Sequence, residues 1–129
     1  IVSVNIVKNN MDPRHQKRVK LLKEIFSLEF SDQPNISKIT KDILLHKSFF
    51  NKKIQKFAPK FPVEKIAKID LAILYLALYE LLIEKKEPIK VIIDEAVELA
   101  KEYGSEKSYA FINAVLGKIY ESEQKSSTT

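Results

Sequence analysis

Apolar residues recur along most of this chain every three to four positions, which is the period of an amphipathic α-helix. The pattern is clearest from residue 76 to residue 119, where joints at residues 85–88 and 104–105 separate three apolar stretches. Pro88 suits the first position of a helix, and Gly104 suits the left-handed residue that often follows one. The pattern therefore predicts three helices in the last third of the chain.

The first half carries the same period with two further helices. Asp12 before Pro13 is typical of a helix start, and the first helix should end at residues 31–34. A second helix is expected from residue 35 or 37 to about Phe57, followed by a joint and a short helical turn at residues 63–68. The segment 69–84 is apolar nearly all the way round, which predicts a central, buried helix.

The predicted fold is an all-α, compact single-domain bundle of about five to six helices. Its helical domain should span residues 12–122. Residues 1–11 are predicted to be a disordered or non-native extension, with Met11 as a candidate natural start, and residues 123–129 to be a flexible tail.

The composition argues against several classes of protein. The 129 residues include 2 Gly, 5 Pro and no Cys, which is too few turn residues for a β-sandwich and leaves no disulfide or thiol nucleophile. Asp94 and Glu95 are adjacent, so on a helix they point about 100° apart and form no acid/base pair. His15 and His46 lack metal-ligand spacing, and no glycine-rich phosphate loop is present. We therefore expect a cytoplasmic protein with no cofactor, no metal and no enzymatic activity.

Charge is distributed unevenly along the chain. Residues 1–62 hold 13 Lys and Arg against 5 Asp and Glu, whereas residues 63–129 hold 9 against 12. This asymmetry indicates two faces with different partners, or else an unevenly charged solvated surface.

The basic residues of the first helix favour RNA as one partner. Arg14, Lys17 and Arg18 are spaced to share a helix face, with His15 beside them. Lys23 and Phe26 continue the series, and single-stranded RNA is typically bound by cations together with stacking aromatic residues. The alternative is a merely solvated basic helix.

Four short motifs resemble those of the transcription antitermination protein NusB family. They are the run LALYEL at 76–81, P-x-K-V at 88–91, I-x-E-A-V-E-L-A-K at 93–101 and S-x-x-F-x-N-x-V-L at 108–116. The resemblance implies a non-catalytic helical protein in the transcription elongation complex. It would bind single-stranded boxA-like RNA of ribosomal transcripts together with the small-subunit ribosomal protein that acts as NusE. Some members of the family dimerise, so the resemblance leaves open whether the chain is a monomer or a homodimer.

The resemblance assigns roles to individual residues. Glu64 and Asp70 fall where family members contact the ribosomal protein. Phe111 falls at a base-stacking position, although the helical period alone places it in the core, and Asn113 is either an RNA contact or a buried amide. The residues predicted to bind RNA are Arg14, His15, Lys17, Arg18, Lys23, Phe26, Lys107, Phe111 and Asn113.

The chain departs from the family pattern at four positions. Tyr75 replaces an arginine, Asp94 an asparagine, Ala114 a glycine, and Lys107 a frequent acid. Lys107 should favour RNA phosphates. Two other interpretations stay open: a detached NusB-like domain of a ribosomal RNA cytosine methyltransferase, and a helical protein-interaction module.

Overall fold

A computed structural model describes residues 12–127 of the chain, without the side chains of residues 126 and 127. This part of the chain folds into six α-helices and no strand. The helices are α1 Pro13–Ser27, α2 Lys38–Leu45, α3 Lys47–Phe57, α4 Lys68–Leu78, α5 Ile89–Tyr103 and α6 Ser108–Ser127. A 3₁₀ turn, Val63–Lys65, precedes α4, and a π-helix, Tyr79–Glu84, continues it.

Helix α4 is the centre of the bundle, as the apolar run at 69–84 predicts. Every residue from 70 to 81 is buried, because α1, α3, α5 and α6 all pack against this helix. The π-helix that follows ends at Glu84, and the next residue, Lys85, has a left-handed backbone (φ 54°). Its wider turn carries Tyr79 and Glu80, both of which are buried.

The start of α1 is the predicted one. The Asp12 carboxylate accepts a hydrogen bond of 2.9 Å from the Arg14 backbone N–H, and Pro13 occupies the first turn. The start of α2 is capped differently, by a side chain from another helix. Glu24 of α1 accepts hydrogen bonds from both the backbone N–H (2.6 Å) and the hydroxyl (2.7 Å) of Ser37, so α1 fixes the entry to α2.

The predicted single helix from residue 35 or 37 to Phe57 is wrong, because it is two helices with a break at His46. In a continuous helix the Asp42 carbonyl would accept from the His46 backbone N–H. That N–H instead bonds to the Ile43 carbonyl (3.0 Å), while the His46 ring Nδ1 lies 2.9 Å from the Asp42 carbonyl. The side chain thus takes the place of the helical bond.

Gly104 follows α5 as predicted, but its backbone is extended (φ −94°, ψ −170°) and not left-handed. Glycine is required at this position because there is no room for a side chain. A Cβ at this position would lie 2.5 Å from Ser108 Oγ and 2.7 Å from the Ala100 carbonyl oxygen.

The last helix is longer than predicted. Residues 123–127, placed in a flexible tail by the sequence, continue α6, and Glu123 pairs with Lys53 of α3 at 2.6 Å. The predicted extension 1–11 lies outside the described residues. Within the described part, none of the helices has both the length and the apolarity required to cross a bilayer.

Candidate nucleic-acid interface

His15 lies in the interface between α1 and α5, and only 2% of its surface is exposed. Its Nδ1 lies 3.2 Å from Glu95 Oε2, and its Nε2 lies 3.2 Å from Glu102 Oε1. Both carboxylates come from α5. The ring therefore joins two helices.

Arg18 lies one turn further along α1 and is also buried, at 6% exposed. Its guanidinium donates to both carboxylate oxygens of Glu80, with Nη2 at 2.8 Å from Oε1 and Nε at 3.0 Å from Oε2. Burial alone would lower the pKa of Arg18, but the hydrogen bonds and charge of Glu80, with further charge from Glu95, raise it above its ordinary value. This is a fully formed bidentate ion pair.

These contacts correct the prediction that His15 and Arg18 bind RNA. Both side chains are buried, and the charged or polar group of each contacts carboxylates, so neither group is exposed to solvent. The sequence could not reveal this, because the paired acids lie 62 to 87 residues away along the chain. Both residues hold α1 against the bundle.

The remaining cations of α1 are exposed and follow one another at intervals of three residues: Arg14, Lys17, Lys20 and Lys23. Arg14 and Lys17 lie at the N-terminal end, where they line a cleft beside the π-helix, and Arg14 is within 3.7 Å of Glu87. Lys23 lies at the C-terminal end. Because residues three apart are neighbours on a helix, these cations form one exposed row along α1, and only Lys23 of this row lines the aromatic cleft described next.

Lys23 lines an aromatic cleft where the end of α1, the start of α4 and the end of α5 meet. In it, Phe26 and Phe30 form an edge-to-face pair with ring centroids 5.1 Å apart, and Phe30 is 65% exposed. Tyr103 forms the facing wall and is 39% exposed. The aromatic cleft is lined by Leu22, Lys23, Phe26, Phe30, Lys68, Ile69 and Tyr103.

This composition suits an unpaired nucleobase. Exposed aromatic faces can stack on a base, and a cation at the rim can meet its phosphate. Lys23 and Lys68 supply such cations, and Lys68 is also 3.5 Å from Glu29. Of the seven residues, only Lys23 and Phe26 belong to the predicted set. Phe30 follows the end of α1, and Lys68 and Tyr103 come from distant parts of the chain.

Phe111 and Asn113 do not lie together. Two residues apart on α6, they point about 200° apart around the helix. Phe111 is partly buried and meets the exposed Phe61 edge to face, with centroids 5.3 Å apart. Asn113 is exposed on the flank that it shares with Tyr109, so the interpretation as a buried amide is wrong.

Lys107 lies exposed in the joint between α5 and α6, directly before Ser108. Ser108 is buried and its hydroxyl accepts a 2.9 Å bond from the Ser105 backbone N–H. The joint is therefore a fixed turn, and it holds Lys107 four residues beyond Tyr103 of the aromatic cleft.

The two acids predicted to contact a partner lie in different environments. Glu64 is exposed in the 3₁₀ turn, where a basic protein could reach it. Asp70 is only 8% exposed, and burial raises the pKa of its carboxyl while a hydrogen bond from Ser108 partly opposes this. The structure thus places Asp70 inside the junction of α4 and α6, not on an open surface as a partner contact requires.

The departures from the family pattern have different structural settings. Tyr75 is 2% exposed, and its hydroxyl donates to Asn51 Oδ1 at 2.5 Å, so it ties α4 to α3 within the core. Asp94 and Ala114 are exposed.

The chain is similar in sequence to one family of known proteins. The sequence model described as the NusB family matches residues 1–121. The Transcription antitermination protein NusB of Clostridium kluyveri is 33% identical over 128 residues, covering 95% of this chain and 82% of the relative. That of Chloroflexus aggregans is 49% identical over 76 residues, covering 57% of this chain and 51% of the relative, so the match spans about half that relative's length.

Two solved structures share the fold. T. maritima NusB superposes with a TM-score of 0.76 at 32% identity, covering 85% of this chain and 92% of the other. A structure described as antitermination factors NusB and NusE in complex with double-stranded RNA gives a TM-score of 0.73 at 20% identity, covering 86% and 99%. These comparisons confirm the family resemblance and the all-helical fold predicted from the sequence.

Proposed function

Because this chain belongs to the NusB family, we propose that it is a non-enzymatic transcription antitermination factor. In this proposal it binds boxA-type single-stranded RNA of ribosomal transcripts together with the small-subunit ribosomal protein that acts as NusE. The names of its relatives support antitermination, and the neighbouring complex of NusB and NusE with double-stranded RNA supports RNA and NusE as the two classes of partner. The site of action would be the transcription elongation complex in the bacterial cytoplasm.

The aromatic cleft is the observation that carries the proposal. It is a concave surface in which exposed aromatic rings lie beside two lysines, and stacking together with phosphate contacts is how single-stranded RNA is commonly held. Lys107, exposed in the neighbouring joint, adds a third cation near the same end of the bundle. We assign base stacking to Phe26 and Phe30 and phosphate contacts to Lys23 and Lys107.

The other predicted RNA residues have weaker support. Arg14 and Lys17 are exposed and remain candidate phosphate contacts at the far end of α1, and exposed Asn113 remains a candidate for a base edge. Phe111 can stack only with the face that Phe61 leaves open. Glu64 remains the candidate contact for the basic ribosomal protein.

The experiment is fluorescence anisotropy with a boxA-like RNA and a scrambled RNA, each with and without the ribosomal partner. We expect preference for boxA and tighter binding with the partner. Equal affinity for both RNAs contradicts the proposal, and no RNA binding under any condition favours the protein-interaction module. RNA binding that gains nothing from the partner favours the detached methyltransferase domain.

A matched pair of lysines tests where the RNA binds. Lys23→Gln should lower the log–log salt dependence of RNA affinity by about 0.7, the value for one phosphate contact on a single strand. Lys20→Gln is the control, because Lys20 is exposed on the same helix but does not line the aromatic cleft. Equal effects of the two substitutions would show a diffuse charge effect and contradict the assignment.

A further inference from the structure

Most of the excess positive charge lies outside the first helix. Residues 38–62 hold seven lysines and a single acid, Asp42. Arg18 of α1, by contrast, is neutralised in the buried pair with Glu80. The α2–α3 segment is therefore the larger source of unneutralised charge in the basic half of the chain.

Helix α3 gathers part of this charge on one flank. Phe50 and Ile54 face the core and are fully buried. At about 100° per residue, the next quarter of the helix surface carries the residues that we call the α3 lysine face. With Lys60 in the joint that follows, these residues are Phe49, Lys52, Lys53, Lys56 and Lys60.

The α3 lysine face combines cations with one exposed aromatic ring. Phe49 is 42% exposed, and the Lys53 ammonium lies 5.5 Å from its ring centroid. Lys53 also pairs with Glu123. Within residues 12–127, no ion pair involves Lys52, Lys56 or Lys60, and all three are exposed.

This face is continuous with the surface next to Phe111. Helices α3 and α6 run antiparallel, since Lys53 meets Glu123 at one end of their contact and Phe61 meets Phe111 at the other. Lys118 lies two turns beyond Phe111 on the same side of α6 and is exposed. A strand that passes Phe111 and Phe61 therefore meets Lys60 and Lys56 next.

We propose that the α3 lysine face is a second binding surface for single-stranded RNA, which holds the segment flanking the boxA-type element. This inference rests on the proposed RNA binding and extends it. The row from Phe49 to Lys56 rises about 10 Å along α3, which matches about three phosphates of a stacked strand. Phe49 and Phe61 supply base-stacking faces, which distinguish this surface from a purely electrostatic one.

The test compares a short boxA-like RNA with the same RNA extended at either end by about ten uridines, well beyond the ~3 phosphates that α3 reaches. The wild-type protein should bind one of the extended RNAs more tightly and with a steeper salt dependence. The triple variant Lys52→Gln, Lys56→Gln, Lys60→Gln should lose that gain. Its salt slope for the extended RNA should fall by about 2, at ~0.7 per phosphate.

Two further variants make the test specific. Lys38→Gln, Lys41→Gln, Lys90→Gln removes the same charge from exposed lysines elsewhere and should keep the gain. Phe49→Ala should weaken binding of the extended RNA about fivefold or more, the lower end for loss of one stacked base, and leave the short RNA unaffected. Far-UV circular dichroism would verify that each variant is folded.

The outcomes separate this inference from the proposed function. If neither extension strengthens binding, or if both triple variants lose the gain equally, the α3 lysine face is not an RNA surface. If the short boxA-like and scrambled RNAs bind alike, boxA recognition fails. In that case the comparison of the two triple variants on the extended RNA still decides the role of α3.

Discussion

The buried pair of Arg18 and Glu80 gives the sharpest test of how α1 is held. The two side chains are 7% and 11% exposed and share a bidentate contact of 2.8 and 3.0 Å. Arg18→Met leaves the Glu80 carboxylate buried without its partner. Glu80→Leu likewise leaves the Arg18 guanidinium buried without the Glu80 carboxylate. The double variant Arg18→Met, Glu80→Leu removes both charges and fills the space with apolar groups.

The expected magnitudes follow from desolvation. Breaking a buried ion pair from one side costs about 3–5 kcal/mol, whereas replacing both partners by apolar groups is often neutral or stabilising. At this chain length about 1 kcal/mol corresponds to roughly 4 °C, so each single variant should lower Tm by about 12–20 °C. The double variant should melt near the wild type.

Urea unfolding followed by far-UV circular dichroism measures all four proteins. Single variants within about 1 kcal/mol of the wild type would refute the reasoning, because that is the size expected for an exposed pair. A double variant as unstable as the singles would also refute it, since the cost would then arise from lost packing and not from an unpaired charge.

The same double variant decides between the sequence prediction and the structure for Arg18. If Arg18 is only structural, the folded double variant should bind boxA-like RNA with wild-type affinity and salt dependence. A salt slope lower by about 0.7 would show that Arg18 contacts a phosphate after all.

Three other predictions concern stability. Gly104→Ala should destabilise the fold by about 1–3 kcal/mol, because the added methyl group overpacks the turn. Gly117→Ala should stabilise the fold by about 0.5–1 kcal/mol, because a Cβ in the middle of α6 would meet nothing within 4 Å. Urea midpoints that rank the two variants the other way would contradict the geometry. Burial acts to raise the pKa of Glu24, but its hydrogen bonds to Ser37 at the start of α2 outweigh burial and hold the pKa below the ordinary 4.5. The ionised carboxylate therefore contributes to the stability of the fold above pH 4.5, and this contribution is lost as the pH falls. Glu24→Gln should therefore cost about 1 kcal/mol near pH 7 and less near pH 3, and an equal cost at both would exclude the ionised form as the reason. Burial is the largest of the causes that raise the pKa of Tyr75 and Tyr79 to about 12. The stability that their neutral hydroxyls contribute to the fold is therefore present below about pH 10 and is lost as the pH rises towards 12. A tyrosinate absorbance titration in which all tyrosines ionise together near pH 10 would contradict this.

The helical skeleton could be predicted because it depends on local signals. The period of apolar residues placed the buried α4, and Asp12 with Pro13 marked the start of α1. The break at His46 was missed because it arises from a ring that bonds a backbone carbonyl, which no period reveals. Gly104 was correctly placed at a helix end, but the reason, close approach of Ser108, depends on how α6 returns.

The candidate site was only partly predictable for a related reason. A lysine or arginine on an amphipathic helix shows its charge in the sequence, but not whether a distant carboxylate neutralises it. His15 and Arg18 looked like Lys17 in this respect, and only the packing of α1 on α4 and α5 separates them. Phe30 and Tyr103 became site residues for the converse reason, since the bundle brings the two helix ends together.

The central claim, that the aromatic cleft binds RNA, is tested most directly by Phe30→Ala. Phe30 is 65% exposed, so its removal should leave the fold intact, and Leu45→Ala, at 81% exposed, is the matched control on another surface. In anisotropy titrations with a boxA-like single-stranded RNA at fixed salt, Phe30→Ala should cost about 1–3 kcal/mol of binding free energy, the range for one stacked base, and Leu45→Ala should cost nothing measurable. Wild-type affinity in the Phe30→Ala protein would contradict the account.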